Sequence, residues 1–288
     1  MTGELTTLVA EPWDDWGLID CGDGRKLERY GPITVVRPEP QAMWEPARKD
    51  WDPDATFVPG SDEEGGGRWV RHRPVPRQWE LSRGSVRFNA SLTPFRHLGF
   101  FPDMAPQWDW MRERSADADV LNLFGYTGVG TLQLSDAGAR MVHVDASKKS
   151  VEQGKANADL SQMDQRPIRW IVDDASKFTA REVRRGRRYD GILLDPPKFG
   201  RGPTGEVWRL EENLAPLLAD CRNLLDGNSR FLVVTVYAVR MSALAIGELL
   251  KQTLGDLGGT VDFGEMTVRE ETRGLLLPTA IFARWSRI

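Results

Sequence analysis

From residue 120 onward the chain alternates short apolar runs with longer amphipathic stretches. Val120 to Phe124 is too short for a helix and is bounded by glycine, so it predicts a buried strand. Gly125, Gly128 and Gly130 punctuate a turn that tolerates positive φ and close approach of a ligand. Helix-compatible residues run from Val129 to Ala137, Gly138 stops them, and Met141 to Val144 predicts a second strand ending in Asp145. The alternation then repeats. Lys148 to Leu160 reads as a helix with Ser147 as N-cap, Ile168 to Val172 as a strand and Gly191 to Leu194 as a fourth strand. A helix over Glu211 to Leu225, a strand over Arg230 to Thr235 and a helix over Met241 to Leu254 follow. Val261 to Val268 and Thr279 to Trp285 close the pattern as an antiparallel pair. Such alternation predicts an α/β fold with a doubly wound, mostly parallel sheet.

Residues 1 to about 60 read differently, being dense in proline, tryptophan and acid with only short apolar runs. Asp23-Gly24, between Leu18 to Cys21 and Lys26 to Tyr30, is a hairpin signal. A small N-terminal β domain over residues 1–84 is expected, with Trp13, Trp16, Trp44 and Trp51 in its core and the larger domain over 85–288. Ser61 to Gly67 reads as a flexible connection. Trp79 to Phe88 and Phe95 to Phe101 suggest extended segments around a turn at Asn89 to Pro94. A helix reaching about Ser115 follows Trp110.

Composition narrows the function classes. No apolar run among the 288 residues approaches the ~18 needed to span a membrane, and the N-terminus lacks the basic and apolar regions of a signal peptide, so a cytoplasmic protein is expected. Cys21 and Cys221 are too few for a disulfide framework or a zinc site, and no metal is expected. The net charge of −4 conceals an asymmetry, because residues 1 to 64 hold 15 acidic against 6 basic side chains. Arg68 to Arg96 carries seven arginines against the single acid Glu80, with Trp69, Trp79, Phe88 and Phe95 among them. Guanidinium groups for phosphates beside aromatic faces for bases would suit a single-stranded RNA surface; the alternative is a set of solvated edge strands. A second basic cluster, Arg181 to Arg188, precedes the fourth strand. It falls at the amino edge of the sheet, where ligands are not expected, and arginine suits a helix C-terminus.

The candidate chemistry lies at the other edge. Asp145, 17 residues past Gly128 and at the end of its own strand, can accept both hydroxyl protons of a ribose. Gly125-Tyr126-Thr127-Gly128 does not fit Gly-x-Gly-x-x-Gly, which speaks against a dinucleotide. Asp173-Asp174-Ala175 follows the third strand, where a carboxylate can accept from an adenine amine or cap a helix. The fourth strand ends in Asp195-Pro196-Pro197-Lys198-Phe199, whose paired prolines force an extended turn and leave carbonyls to accept from a substrate.

Asn122 to Gly128, Asp145, Asp173 to Ala175 and Asp195 to Phe199 together resemble the class I S-adenosylmethionine (SAM)-dependent methyltransferases, in the branch of large-subunit ribosomal RNA methyltransferases that includes 5-methylcytosine formers. The resemblance covers roughly residues 85–288 and implies a seven-stranded Rossmann-like sheet, SAM as cofactor and an RNA substrate. Gly99-Phe-Phe-Pro-Asp103 is similar to that branch's Gly-x-Phe-Leu-Asp-Gln-Arg segment. By this likeness Phe101 and Asp103 would flank the cofactor, and Asn122, Phe124, Gly125, Tyr126, Thr127 and Gly128 would wrap its methionine part. Asp145, followed by Ala146, would hold the ribose, Asp174 with Ala175 the adenine, and Asp195 would face the transferring methyl; Asp195 and the Pro196 and Pro197 carbonyls could orient an amine, with Lys198 the remaining catalytic candidate of that turn. Lys198, Tyr237 and Arg240 are candidate substrate contacts.

One departure has chemical weight. Methylating cytosine C5 needs a thiolate to add at C6 first, and the branch supplies that cysteine just after its fifth strand. Here Thr235 to Ser242 contains none. A nitrogen or oxygen acceptor needs no adduct, only alignment of its lone pair with the methyl and sulfur. A SAM-binding relative without activity, a methyltransferase of small molecules or proteins, and a nicotinamide oxidoreductase stay open as alternatives.

Overall fold

A computed structural model describes residues 5–60, 66–237 and 240–287. The chain falls into two compact units. One comprises residues 1–8, 107–266 and 280–288, the other 9–106 and 267–279.

The chain opens on β1 (Leu5–Ala10), an edge strand of the large sheet. The second unit then holds β2 (Trp16–Gly22), β3 (Arg25–Tyr30), β4 (Ile33–Pro38), β5 (Ala55–Pro59) and β6 (Gly67–Arg71), in that order within one sheet. The separate hairpin of β7 (Trp79–Arg83) and β8 (Val86–Ala90) completes it. Asp23 and Gly24 both take positive φ between β2 and β3, which is the backbone a two-residue hairpin turn requires. Of the tryptophans expected in the core, only Trp16 is fully enclosed. Trp13, Trp44 and Trp51 are half-buried, and their indole N–H groups donate to Ser82 O, Cys21 O and Asp20 Oδ2. The buried Glu28 is matched by Arg37, which donates to both carboxylate oxygens at 2.7 Å.

Two expectations for this unit are corrected. The turn falls at Gly84, with φ 61°, so Asn89 lies inside β8, and Phe95 to Phe101 forms no strand. The connection expected over Ser61 to Gly67 lies outside the described residues up to Gly65, while Gly67 begins β6. The basic segment also differs from a stacking surface. Trp79 and Phe88 are buried among core side chains and Trp69 packs edge-on against Phe57, leaving Phe95 as its exposed ring. Arg73 pairs with Asp52 and Asp54, and Arg87 with Glu80.

From α1 (Ala105–Arg112) the chain builds the alternating layers: β9 (Asp119–Leu123), α2 (Val129–Asp136), β10 (Arg140–Asp145), α3 (Lys148–Leu160), β11 (Ile168–Val172), α4 (Ala175–Arg184) and β12 (Gly191–Leu194). A small hairpin, β13 (Phe199–Arg201) with β14 (Val207–Arg209), comes next. The chain ends with α5 (Leu210–Asn223), β15 (Phe231–Tyr237), α6 (Ala243–Leu254), β16 (Thr260–Arg269) and β17 (Leu276–Ser286). The large sheet runs β1-β16-β17-β15-β12-β9-β10-β11. Strands β9 to β12 and β15 are parallel, and β17 is antiparallel to β15. The sheet is doubly wound, as expected, but has eight strands, because Leu5–Ala10 joins it instead of the N-terminal β sheet.

Burial explains the long apolar strands. Leu121, Leu123, Ile192, Leu194, Leu232 and Val234 meet Leu214, Leu217, Leu218 and Cys221 of α5 and Ile246 and Leu250 of α6 in one core, as a parallel sheet covered by helices demands. No helix among the described residues is long and apolar enough to cross a membrane, and no group of three or more His, Cys, Asp or Glu there could hold a metal.

Candidate functional site

Strand order reverses between β9 and β12. From β9 the chain proceeds outward to β10 and β11, then returns to β12 on the other side. The registers fix what meets there. Leu123 pairs with both Val144 and Leu194, so the next residues, Phe124, Asp145 and Asp195, leave the sheet side by side at its carboxyl edge. Asp195 N donates to Leu123 O at 3.4 Å, and Gly125 N to Val144 O at 3.0 Å. The glycine turn, Asp145 and the proline turn therefore share one edge, at the switch point where such sheets bind ligands.

The turn is held in a strained form. Phe124, Tyr126 and Gly128 have φ of 59°, 48° and 80°. A non-glycine residue there costs on the order of 1–2 kcal/mol, and packing sustains it: the Phe124 ring lies 4.8 Å from that of Trp208. Gly125 keeps negative φ. Its role is close approach, since a Cβ there would stand 2.4 Å from the His143 ring. Beneath the turn, His143 lies in register with Asn122 and Trp170. Asn122 Nδ2 donates to Thr131 Oγ1 at 2.9 Å, and that hydroxyl bonds His143 Nδ1 at 2.9 Å. Asn122 thus ties β9 to α2 and is buried beneath the turn. Burial holds the His143 imidazole neutral, with its pKa lowered to about 3. The Thr127 carbonyl accepts from Asn157 Nδ2 at 3.0 Å. Gly128 gives α2 no side-chain cap, so the helix N-terminus faces the edge with its N–H groups uncovered by a side chain.

Asp145 is clamped by two backbone donors. Its Oδ2 accepts from Tyr126 N at 2.9 Å and its Oδ1 from Ser147 N at 2.8 Å. Each oxygen keeps lone-pair capacity for one hydroxyl. Burial raises its carboxyl above the usual range, opposed by those two hydrogen bonds. Ser147 caps α3 through Ser150 N, as expected, leaving Ala146 half-buried between acid and cap. Asp174 caps α4 through Lys177 N at 2.9 Å, which leaves its second oxygen outside the cap, and Ala175 packs into the core. Asp173 instead pairs with Arg181.

At the proline turn Asp195 is half-buried and Pro196 buried, whereas Pro197, Lys198 and Phe199 are exposed. The Pro197 carbonyl accepts from Trp208 Nε1 at 2.7 Å, so it braces the small hairpin. Lys177 reaches across to Glu206 in that hairpin's loop and holds its carboxyl down at about 2. Tyr237 ends β15 at the same carboxyl edge and Arg240 is exposed, while Ala238 and Val239 lie outside the described residues. Phe101 and Asp103 belong to the other unit, where Asp103 is buried in the turn Pro102–Met104. Sequence reading missed His143, Thr131, Asn157 and Trp208. His143 could have been found from strand alternation, since it stands two residues before Asp145.

A clamped strand-end carboxylate beside an uncapped helix N-terminus defines a nucleoside-binding α/β protein. The donor set suits a nucleoside carrying a small anionic arm: the carboxylate takes the diol and the helix N-terminus the arm. A family model described as S-adenosylmethionine-dependent methyltransferase matches residues 60–229, and the chain belongs to that family. It is similar to the SAM-dependent methyltransferase from Agrobacterium tumefaciens, at 43% identity and a TM-score of 0.93, covering 99% of this chain and 96% of that one. It also resembles Ribosomal RNA large subunit methyltransferase I of Tolumonas auensis, at 33% identity over 144 residues, 50% of this chain and 34% of the relative. The protein of that name from Salmonella enteritidis is 24% identical over 248 residues, 76% of this chain and 59% of the relative. The chain spans about a third of the length of the Tolumonas relative.

Proposed function

We propose that this protein transfers a methyl group from SAM to a ribosomal RNA base in the cytoplasm, at a nitrogen acceptor, without a covalent cysteine adduct. The RNA substrate is supported by the likeness to Ribosomal RNA large subunit methyltransferase I of two bacteria. The observation that carries the absence of an adduct is the state of Cys221: it is fully buried in α5 against Leu217 and Leu218, and burial pushes its thiol well above the usual range. Cys21 is buried too, donates to Glu270, and has its thiol raised to about 12. Neither can present a thiolate.

Bound SAM supplies an electrophilic methyl on a sulfonium. Asp145 with Ala146 holds the ribose hydroxyls, and Phe124 to Gly128 seat the methionine arm on the N-terminus of α2, with Asn122 bracing the turn from below. Asp174 accepts from the adenine amine with its uncapped oxygen, beside Ala175. Asp195 and the Pro196 carbonyl orient the acceptor, while Lys198, Tyr237 and Arg240 contact the RNA. In this reading residues 85–288 carry the chemistry, residues 1–84 assist substrate binding, and the exposed arginines between Arg68 and Arg96 meet the RNA backbone.

The test is transfer of labelled methyl from SAM into stripped ribosomal RNA, total protein and a metabolite extract, followed by nucleoside digestion and mass spectrometry. Label in an N-methylated nucleoside is expected. Label confined to protein or metabolites overturns the RNA substrate, and label in 5-methylcytosine overturns the thiol-free route.

A further inference from the structure

At the amino edge of the large sheet, opposite the glycine turn, the strand starts border a cleft of about 390 Å³. Its lining includes Arg140, Arg166, Arg169, Arg187 and Arg188. These come from separate parts of the chain: the start of β10, the segment entering β11, β11 itself, and the link from α4 to β12. All five are exposed. The lining holds one carboxylate, Asp119, and it is committed to Arg140 through a 2.7 Å bond to Nε. The neighbouring Asp190 accepts the Asp119 backbone N–H at 2.8 Å. Arg166, Arg169, Arg187 and Arg188 form no ion pair among the described residues. Arg188 donates only to the Arg187 carbonyl.

Four uncompensated guanidinium groups around one cleft repel one another, and folding gains nothing from gathering them. A ligand carrying several negative charges would relieve that repulsion, and each planar guanidinium fork matches a phosphate edge. A single phosphodiester would neutralise one of the four, so a run of phosphates fits better than an isolated anion. The chain as a whole carries −4, so its overall field repels polyanions and any nucleic-acid contact must be made by a local patch of this kind. The five residues of β9 separate the two edges by roughly 17 Å at ~3.3 Å per residue. A folded RNA can cover that span while presenting one base at the far edge.

We propose that this arginine cleft is a second RNA contact, holding the phosphodiester backbone of the substrate away from the methylated base. The proposal rests on the RNA reading above. Ligands of doubly wound sheets are expected outside the carboxyl ends, which is why the cluster Arg181 to Arg188 pointed elsewhere in sequence. Arg140, Arg166 and Arg169 change the picture, because they converge on the same cleft from distant positions.

The test measures binding of a labelled RNA stem-loop by the full chain across a salt series, with Arg166→Gln/Arg187→Gln as the variant and Arg184→Gln as control. Arg184 is exposed on the same stretch but lies outside the cleft. SAM affinity and melting temperature report that each variant is folded. Wild type should bind the stem-loop, and the double variant about tenfold or more weakly. The slope of log affinity against log salt should become shallower by about 1.4 to 1.8, the loss of two phosphate contacts. Arg184→Gln should bind like wild type, and tripolyphosphate should compete poorly. Equal binding by wild type and double variant overturns the cleft and leaves the RNA reading intact. Equal loss in Arg184→Gln reduces the effect to general charge and also overturns it. Strong competition by tripolyphosphate assigns a small-anion pocket instead. A wild type that binds no RNA at all removes the RNA reading itself.

Discussion

Removing the Asp145 carboxylate tests the cofactor site directly, and its two hydrogen bonds set the size of the effect. With Tyr126 N and Ser147 N already bonded at 2.9 and 2.8 Å, the side chain cannot swing away. Its remaining lone pairs are therefore held in place, and the proposed function gives them the ribose diol. Hydrogen bonds to a charged group contribute about 1.5–3 kcal/mol each, so losing two in Asp145→Ala costs about 3–6 kcal/mol. At about 1.4 kcal/mol per decade, SAM should bind roughly a hundred- to ten-thousand-fold more weakly. Asp145→Asn keeps one acceptor but turns an amide N–H toward a backbone N–H, and should fall between that variant and wild type. Calorimetric titration at neutral pH reads the loss, and melting curves report the fold. pH gives a second handle. The ionised form accepts the hydroxyls and burial raises its pKa. SAM affinity should therefore fall during acidification sooner than an ordinary aspartate would allow. The ligand-free fold behaves oppositely: with the folded-state pKa above the unfolded one, protonating Asp145 contributes stability as pH falls. A folded Asp145→Ala protein that binds SAM within about threefold of wild type would refute the assignment.

Asp195→Ala should lower turnover about a hundredfold or more while changing SAM affinity less, because the proposed function sets this residue, just past the end of β12, at the methyl acceptor; equal losses in single-turnover rate and affinity would count against this. Cys221→Ala should retain full methyl transfer, since the thiol is enclosed by α5 and its neighbours, and an inactive but folded variant would revive a covalent route. Gly125→Ala should lower the melting temperature, as its Cβ would lie 2.4 Å from the His143 ring. Overpacking of that kind costs about 1–3 kcal/mol. An unchanged melting curve would show that the turn is looser than its strained φ values imply.

Most of the alternating half was legible because each of its elements carries its own local signal. Lys148–Leu160 has Ser147 as cap, and Gly191–Leu194 is a pure apolar run closed by Asp195-Pro196. Elements that depend on distant partners were not legible. Leu5–Ala10 alternates no more clearly than a loop, and its place at the edge of the large sheet is a long-range pairing. The three-residue strands of the hairpin Phe199–Arg209 are shorter than any periodicity can register. The glycines were visible but not their separate duties. Gly128 supplies positive φ, whereas Gly125 makes room for a histidine that only register places beneath it. The arginine cleft escaped for the same reason, since Arg140 and Arg166 meet only when β10 pairs with β11.

The buried thiols also constrain how the site can work. A route through cytosine C5 would need Cys221 to leave a core in which it is fully enclosed and to ionise against burial that raises its pKa. Desolvation and lost packing would both oppose that movement. The residues that do stand at the carboxyl edge offer an acceptor carboxylate, a backbone carbonyl and an exposed lysine, groups that orient a lone pair but do not add to a ring. An amine nitrogen needs no covalent adduct, only direction, exclusion of water and an acceptor for the proton it sheds, a role open to the Asp195 carboxylate; well-aligned partners gain about 7–11 kcal/mol from orientation alone. The braced proline turn fits that demand. Trp208 fixes the Pro197 carbonyl and meets the Phe124 ring at a tilt, so one indole couples the position of the proline turn to that of the glycine turn. Packing thereby sets the two turns relative to one another without a ligand, which is what the proposed function, relying on geometry rather than covalent activation, requires.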